Sequence, residues 1–80
     1  MKPVRLSDLK VGQVGRIVRL EARDSFRHRL LEMGLVRGER IEVKGVAPLG
    51  DPVEYSIKDY RLSMRKHEAQ SVIVEVAFGQ

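Results

Sequence analysis

A succession of five short runs, in each of which apolar and polar residues alternate, is the feature of this sequence that most constrains its fold. The runs occupy residues 14–20, 40–44, 53–58, 60–65 and 72–76. Alternation with a period of two places successive side chains on opposite faces of a β-strand. Five strands in a chain of 80 residues leave several unpaired edges in an open sheet, and closure into a small, strongly bent barrel removes them.

The segment DSFRHRLLEMGL, residues 24–35, interrupts this pattern with the period of an α-helix. Its apolar face, with spacings of four and three residues, consists of Phe26, Leu30 and Met33. Asp24 or Ser25 is expected to cap the first turn. Gly34 is expected to end the helix in a left-handed conformation, with Leu35 packing back on Leu30. The sequence therefore predicts a mainly β fold, a small SH3-like barrel of about five strands with a short helix inserted after the first strand.

Several local features refine this prediction. The apolar face of the first run is expected to hold Val14, Val18 and Leu20. Gly45 is a candidate β-bulge that bends the second run. Lys58 and Asp59 form a two-residue hairpin connection, in which Asp59 tolerates a left-handed backbone. The segment KHEAQ, residues 66–70, fits a single helical turn.

Length and composition indicate one domain that spans residues 1–80. The chain has no cysteine, so it uses neither a disulfide nor a thiolate metal site, which favours a reducing compartment. The longest aliphatic run is Val72-Ile73-Val74, far short of the ~20 apolar residues that cross a bilayer. We therefore expect a cytoplasmic protein.

Arginine dominates the charged residues. Fifteen basic against eleven acidic residues give a formal net charge of +4, and arginine binds phosphate and carboxylate groups through paired hydrogen bonds. Residues 16–29 hold five of the arginines: Arg16, Arg19, Arg23, Arg27 and Arg29. Two interpretations stay open, a solvated face interleaved with acidic residues or a surface that meets an anionic partner.

The segment APLGDPVEY, residues 47–55, is rich in residues that restrict the backbone. Pro48 and Pro52 fix φ, while Gly50 allows a positive φ. Asp51 can accept hydrogen bonds from backbone amides ahead of it. A loop this stiff favours a presented surface with Leu49 exposed. The alternative is a loop folded over the barrel mouth with Leu49 as its plug.

The pattern of reactive side chains does not fit catalysis. Ser25 and His28 are three residues apart, without an acid placed to orient the histidine. Alternation along the strand directs Glu54 away from Asp51, so the two do not form an acid/base pair. The glycines of GVAPLGDP are not followed by the lysine of a P-loop. The sequence therefore predicts a protein that is not an enzyme and requires no cofactor.

Histidine and glutamate supply the candidate metal ligands. His28 and Glu32 are one helical turn apart, and His67 is adjacent to Glu68. His28 with Glu32 can hold a divalent transition metal weakly at the surface. The alternative is an exposed histidine on a polar helix face with no metal role.

Three segments of the chain resemble the FeoA family, small cytoplasmic proteins of bacterial ferrous iron uptake: they read RHRLLEMGLVRGERIEV, APLGDPVEYSI and YRLSMRKHEAQSVIV. The resemblance runs from Leu6 to Val76. It implies an SH3-like barrel, also found as the C-terminal domain of DtxR-type iron-dependent repressors. It also implies a role beside FeoB, the membrane ferrous iron transporter with a cytoplasmic GTPase domain. The chain departs from the family pattern at Asp59, where glycine is commoner, and at His67, where the residue is often acidic.

Two functional hypotheses follow. In the first, the chain is a non-enzymatic adaptor that docks on the cytoplasmic GTPase region of a FeoB-type transporter and modulates transport. Its partner-binding residues are then Leu49, Gly50, Asp51, Arg23 and Arg27. In the second, it is a metal-responsive or nucleic-acid-binding SH3-like module whose basic face contacts phosphates. The absence of a recognition helix or of stacking aromatic residues argues against nucleic acid.

Overall fold

The computed structural model describes residues 2–76, which form one antiparallel sheet with two helices. The strands are β1 (Val4–Arg5), β2 (Val14–Leu20), β3 (Arg40–Val46), β4 (Val53–Ile57), β5 (Tyr60–Met64) and β6 (Val72–Val76). The helices are α1 (Asp24–Glu32) and α2 (Lys66–Ala69), and a 3-10 turn covers Leu6–Asp8. The order of strands across the sheet is β1-β6-β2-β3-β4-β5.

The mainly β fold with a helix after the first long strand is confirmed, with two differences. Six strands are present instead of five, because β1 pairs with β6 through Val4 and Arg5 alone, and two residues are too few to show alternation. The sheet also stays open: in the part of the chain that the structure describes, it begins with β1 and ends with β5. The single-domain prediction extends to Met1 and residues 77–80, which lie outside the described residues.

The core is one cluster to which the strands, both helices and the 3-10 turn contribute buried side chains. Its largest fully buried side chains include Tyr55, Leu6, Ile17, Leu30, Leu35, Ile41, Ile57 and Met64. The predicted helical face is confirmed, since Leu30 is fully buried and Phe26 and Met33 are partly buried against the same cluster. This packing holds α1, because a helix of nine residues is not stable in water by itself.

The C-terminal end of α1 is a Schellman motif, as predicted. Gly34 has φ +93°, its N–H donates to Leu31 O at 2.9 Å, and the Leu35 N–H donates to Leu30 O at 3.2 Å. The predicted N-terminal cap is wrong. Extended Arg23 precedes the helix, without a side-chain cap, so Asp24 is the first helical residue and its carboxylate lies in the first turn.

Two register shifts curve the sheet. One lies between Val43 and Gly45, where β3 pairs with β4, which confirms the predicted bulge at Gly45. The other lies between Ile17 and Arg19, where β2 pairs with β6, and it changes which side of β2 faces the core. Before the shift Ile17 is the residue of the core cluster, and after it Leu20 packs against that cluster. Val18 is only half-buried. The predicted apolar face of β2 is therefore confirmed at Leu20 and wrong at Val18, and it missed Ile17.

The remaining turns follow the sequence closely. Ile57 pairs with Tyr60, so the hairpin connection has two residues as predicted, but Lys58 and not Asp59 takes the positive φ, at +53°. The segment after β5 forms the single-turn helix α2. In residues 2–76 we find no helix with the length and hydropathy needed to cross a membrane.

Candidate partner-binding surfaces

The loop between β3 and β4, residues 47–52, presents Leu49 to solvent; we call it the Leu49 loop. Leu49 is 97% exposed, so the alternative in which it plugs a barrel mouth is wrong. Two backbone hydrogen bonds close the loop: Gly50 N–H donates to Ala47 O at 2.7 Å, and Ala47 N–H donates to Pro52 O at 3.0 Å. Gly50 has φ +90°, the conformation for which glycine was expected at this position.

Asp51 connects the Leu49 loop to α2. Its Oδ1 accepts a hydrogen bond from the Lys66 backbone N–H at 3.0 Å, and its Oδ2 lies 3.9 Å from the Arg65 guanidinium. Lys66 is the first residue of α2, so the carboxylate satisfies a free amide of a helix that lies far along the chain. Asp51 was predicted to accept from backbone amides ahead of it in the turn; the amide that it accepts from lies fifteen residues further along the chain, in α2.

Tyr55 lies beneath this part of the surface. It is 1% exposed, and burial, with a smaller effect of the Asp51 carboxylate, raises the pKa of Tyr55 from 10.0 to about 12. Both causes act against the charged phenolate. The tyrosine is therefore a neutral core residue at physiological pH.

A chain of polar contacts continues from α2 to α1. The Arg29 guanidinium donates to Glu68 Oε2 at 2.7 Å, and Glu68 Oε1 accepts from the Arg65 N–H at 2.9 Å. Arg29 also lies over the Phe26 ring, 5.5 Å from its centroid. Arg29 is thus engaged in holding the two helices together.

The arginine cluster seen in the sequence divides between different surfaces. Arg16 donates to Gly38 O at 2.8 Å, and Arg29 bonds Glu68, so both make structural contacts. Arg23 is exposed at the start of α1. Arg19 and Arg27 line a groove between β2 and α1. Neither interpretation of the cluster holds for all five residues.

This groove, which we call the arginine groove, has a volume of about 310 Å³. Aliphatic side chains from β2, α1 and the segment after α1 form its floor: Val18, Leu20, Leu31 and Leu35. Three arginines also line it: Arg19, Arg27 and Arg37. Sequence reasoning missed the groove, because Arg37 follows α1 in a turn and only the packing of α1 on the sheet brings it beside Arg19.

The Leu49 loop and the arginine groove lie beyond opposite ends of β3. The turn that carries Arg37 precedes Arg40, where β3 begins, and the loop follows Val46, where it ends. Seven extended residues cover about 20 Å. The structure therefore groups Leu49, Gly50 and Asp51 on one surface and places Arg27 on another.

The predicted metal ligands lie together on the exposed face of α1. His28 Nε2 is 3.1 Å from Glu32 Oε2, and their side chains are 74% and 66% exposed. Among residues 2–76, no group of three or more histidine, aspartate or glutamate side chains is placed to hold a metal ion. Two exposed ligands leave half of the four positions around a tetrahedral metal ion to water, so the pair is suited to weak binding, which stays a prediction.

The carboxylates considered for acid/base chemistry are engaged in other contacts. Asp51 bonds the first amide of α2. Glu54 lies 3.4 Å from the Arg61 guanidinium on the neighbouring strand. The two acids thus have separate structural partners, and the geometry does not support a reaction centre between them.

Fold and surface together define a small, mainly β module that carries an exposed apolar loop and a basic groove. Residues 4–76 match the family described as the FeoA domain. The chain therefore belongs to the FeoA family, as its resemblance indicated.

A relative in Porphyromonas gingivalis is a fusion protein of Fe(2+) transport protein A and the Fe(2+) transporter FeoB. It is 49% identical over 73 residues, which cover 91% of this chain and 9% of the fusion protein. The chain thus spans about a tenth of the length of this curated relative. In that relative, a domain similar to this chain and a transporter belong to one polypeptide.

Solved structures confirm the fold. A FeoA-like protein from Clostridium acetobutylicum has a TM-score of 0.91 at 31% identity, covering 100% of this chain and 93% of that one. FeoA of Stenotrophomonas maltophilia, solved with zinc and described as a prokaryotic SH3 domain protein, has a TM-score of 0.79 at 28% identity, covering 90% and 89% of the two chains. The SH3-like fold class is therefore confirmed. The IdeR protein of T. acidophilum, with a TM-score of 0.83 at 24% identity over 96% of this chain and 35% of that one, shares the fold alone.

Proposed function

We propose that this chain is a non-enzymatic accessory protein of bacterial ferrous iron uptake. In this proposal it docks in the cytoplasm on the GTPase region of a FeoB-type transporter and modulates transport. The observation that supports it best is the fusion of a domain 49% identical to this chain with a FeoB transporter. Fusion keeps two partners at a high effective concentration, which suits a domain whose work is done on the transporter.

The docking surface of this proposal includes the Leu49 loop. Leu49 is 97% exposed, and a large apolar side chain on a rigid loop is suited to fill a pocket on a partner. Gly50 has no side chain and allows a close approach of the partner, while Asp51 holds the loop on α2. Arg23 and Arg27 on the α1 side add positive charge that steers the chain toward an acidic surface.

A divalent metal site at His28 and Glu32 is a second part of the proposal. The S. maltophilia FeoA was solved with zinc, and the 3.1 Å distance between His28 and Glu32 allows both to contact one ion. We expect weak zinc binding in a calorimetric titration and its loss in His28→Ala. Equal zinc binding by His28→Ala would exclude this site, and the docking function requires no cofactor in either case.

Affinity capture of the transporter's soluble GTPase domain, with and without guanine nucleotide, tests the docking. We expect the immobilised chain to retain that domain. A parallel mobility-shift assay with DNA and RNA at increasing salt tests the alternative, since phosphate contacts weaken steeply with salt. Retention of nucleic acid without the GTPase domain would replace the adaptor function with the second hypothesis.

A further inference from the structure

The arginine groove combines aliphatic and basic lining residues. Its floor is aliphatic, with Leu35 fully buried and Leu31 still 37% exposed. Arginines from β2, from α1 and from the turn after α1 also line the groove. A purely apolar ligand makes no ion pair with the arginines, and a simple anion does not cover the aliphatic floor.

All three arginines keep hydrogen-bonding capacity for a new partner. Arg19 lies 3.2 Å from Glu21, in an exposed pair that competes little with another carboxylate. Arg27 donates at 3.3 Å to the Leu20 carbonyl, and its remaining N–H groups stay available. Within residues 2–76, neither Arg27 nor Arg37 forms an ion pair.

We propose that the arginine groove binds an acidic peptide segment that inserts one aliphatic side chain between flanking carboxylates. The volume of about 310 Å³ is about ten times the ~30 Å³ that one water molecule occupies in the liquid, which leaves ample room for one aliphatic side chain. Carboxylates on either side then reach Arg27 and Arg37, where charge-assisted hydrogen bonds form. The aliphatic contact supplies the burial, and the arginines select for acidic neighbours.

A nucleic-acid ligand fits the groove less well. Single strands bind by stacking their bases on aromatic rings, and every side chain in the floor is aliphatic. A sugar-phosphate backbone pairs with the arginines but has no group to cover Leu31.

The inference goes beyond the proposed function, because it names the chemistry of a ligand for the arginine groove. The groove and the Leu49 loop are separated by the length of β3, about 20 Å. It holds whether or not the partner is the transporter. Its test uses peptides alone, so its failure leaves the capture experiment above unaffected.

The experiment is a ¹H–¹⁵N correlation titration of the full chain with the peptide Ac-Glu-Asp-Leu-Asp-Glu-NH₂. We expect saturable shifts at Val18, Leu31 and Arg37, about tenfold weaker binding by Arg37→Glu, and weaker binding at high salt. Arg61→Glu is the matched control, because it changes the net charge equally on the far edge of the sheet and is expected to bind within twofold of wild type. A peptide with serine in place of leucine is expected to bind about tenfold more weakly.

Four outcomes would overturn the proposal. Equal weakening by Arg37→Glu and Arg61→Glu would mean attraction by net charge only. Saturable shifts confined to other residues would place the peptide elsewhere. Tighter binding of an oligonucleotide at the same residues would assign the groove to nucleic acid. Concentration-dependent shifts of the same residues without peptide would assign it to a second copy of the chain. Arg37→Gln, with its spectrum compared to wild type, repeats the test if Arg37→Glu does not fold.

Discussion

The Asp51 carboxylate accepts a hydrogen bond from the Lys66 backbone amide at 3.0 Å, across fifteen residues of sequence. This one contact fixes the Leu49 loop to α2, and Glu68 of α2 in turn bonds Arg29 of α1. The exposed apolar tip is therefore held by a series of polar contacts that reaches the helix packed on the core. A rigid tip loses little conformational entropy on binding.

Asp51→Ala is expected to lower the free energy of unfolding by about 1 to 2 kcal/mol, as the loss of a helix cap does. Asp51→Asn keeps an acceptor oxygen and is expected to lose less. Urea denaturation measures both, with exposed Asp59→Ala as control. A loss no larger than that of Asp59→Ala would mean that the contact does not stabilise the fold.

Gly34→Ala and Gly38→Ala form a matched pair, because both glycines have φ +93°. At Gly38 an added Cβ meets nothing within 4 Å, whereas at Gly34 it meets the Tyr60 hydroxyl, which donates to the Met33 carbonyl. We expect Gly38→Ala to cost about 1 to 2 kcal/mol from the backbone conformation alone, and Gly34→Ala to cost more in the same thermal or urea denaturation. Equal losses of unfolding free energy would mean that the Tyr60 side chain moves away from the added Cβ without destabilising the fold.

Leu30→Ala is expected to destabilise the chain by about 2 to 5 kcal/mol, since the truncated side chain is fully buried. Leu31→Ala, one residue further along α1 and 37% exposed, is the control and is expected to cost much less. Chemical denaturation compares the two. A similar loss of stability for both variants would contradict the packing of α1 on the core by way of the buried Leu30 side chain.

Tyr55 makes stability depend on pH in the alkaline range. Its pKa is raised from 10.0 to about 12, so the folded chain keeps the phenolic proton where the unfolded chain has lost it. The contribution is complete below about pH 10 and decreases by about 3 kcal/mol as the pH rises toward 12. Tyr55→Phe is expected to lack this decrease in urea denaturation across that range. The same pH dependence in both proteins would contradict the burial of the phenol.

Local patterns in the sequence were enough to predict some elements. The end of α1 at Gly34, with Leu35 packing back on Leu30, depends on residues within one turn of each other. The bulge at Gly45 was indicated by a glycine that interrupts the alternation along β3. The side of β2 that faces the core was not predictable, because the shift between Ile17 and Arg19 is imposed by pairing with β6.

The candidate site shows the same division. The positive φ of Gly50 follows from the loop's own composition, whereas the sequence left two positions of Leu49 open and the structure shows that it is exposed. Two other features depend on how distant segments pack, which a single sequence does not specify. They are the contact of Asp51 with Lys66 and the position of Arg27 and Arg37 along the same groove.

Calorimetric titration of the transporter's GTPase domain with wild-type chain, Leu49→Asp and Val11→Asp tests the central claim most directly. Val11 is also exposed, at 58%, so the two variants change charge and hydropathy equally while only one alters the Leu49 loop. Surface substitutions of this kind cost little stability, so a loss of binding is attributable to the interface. We expect wild type and Val11→Asp to bind the GTPase domain and Leu49→Asp not to bind it. Equal binding by all three would exclude docking through this loop.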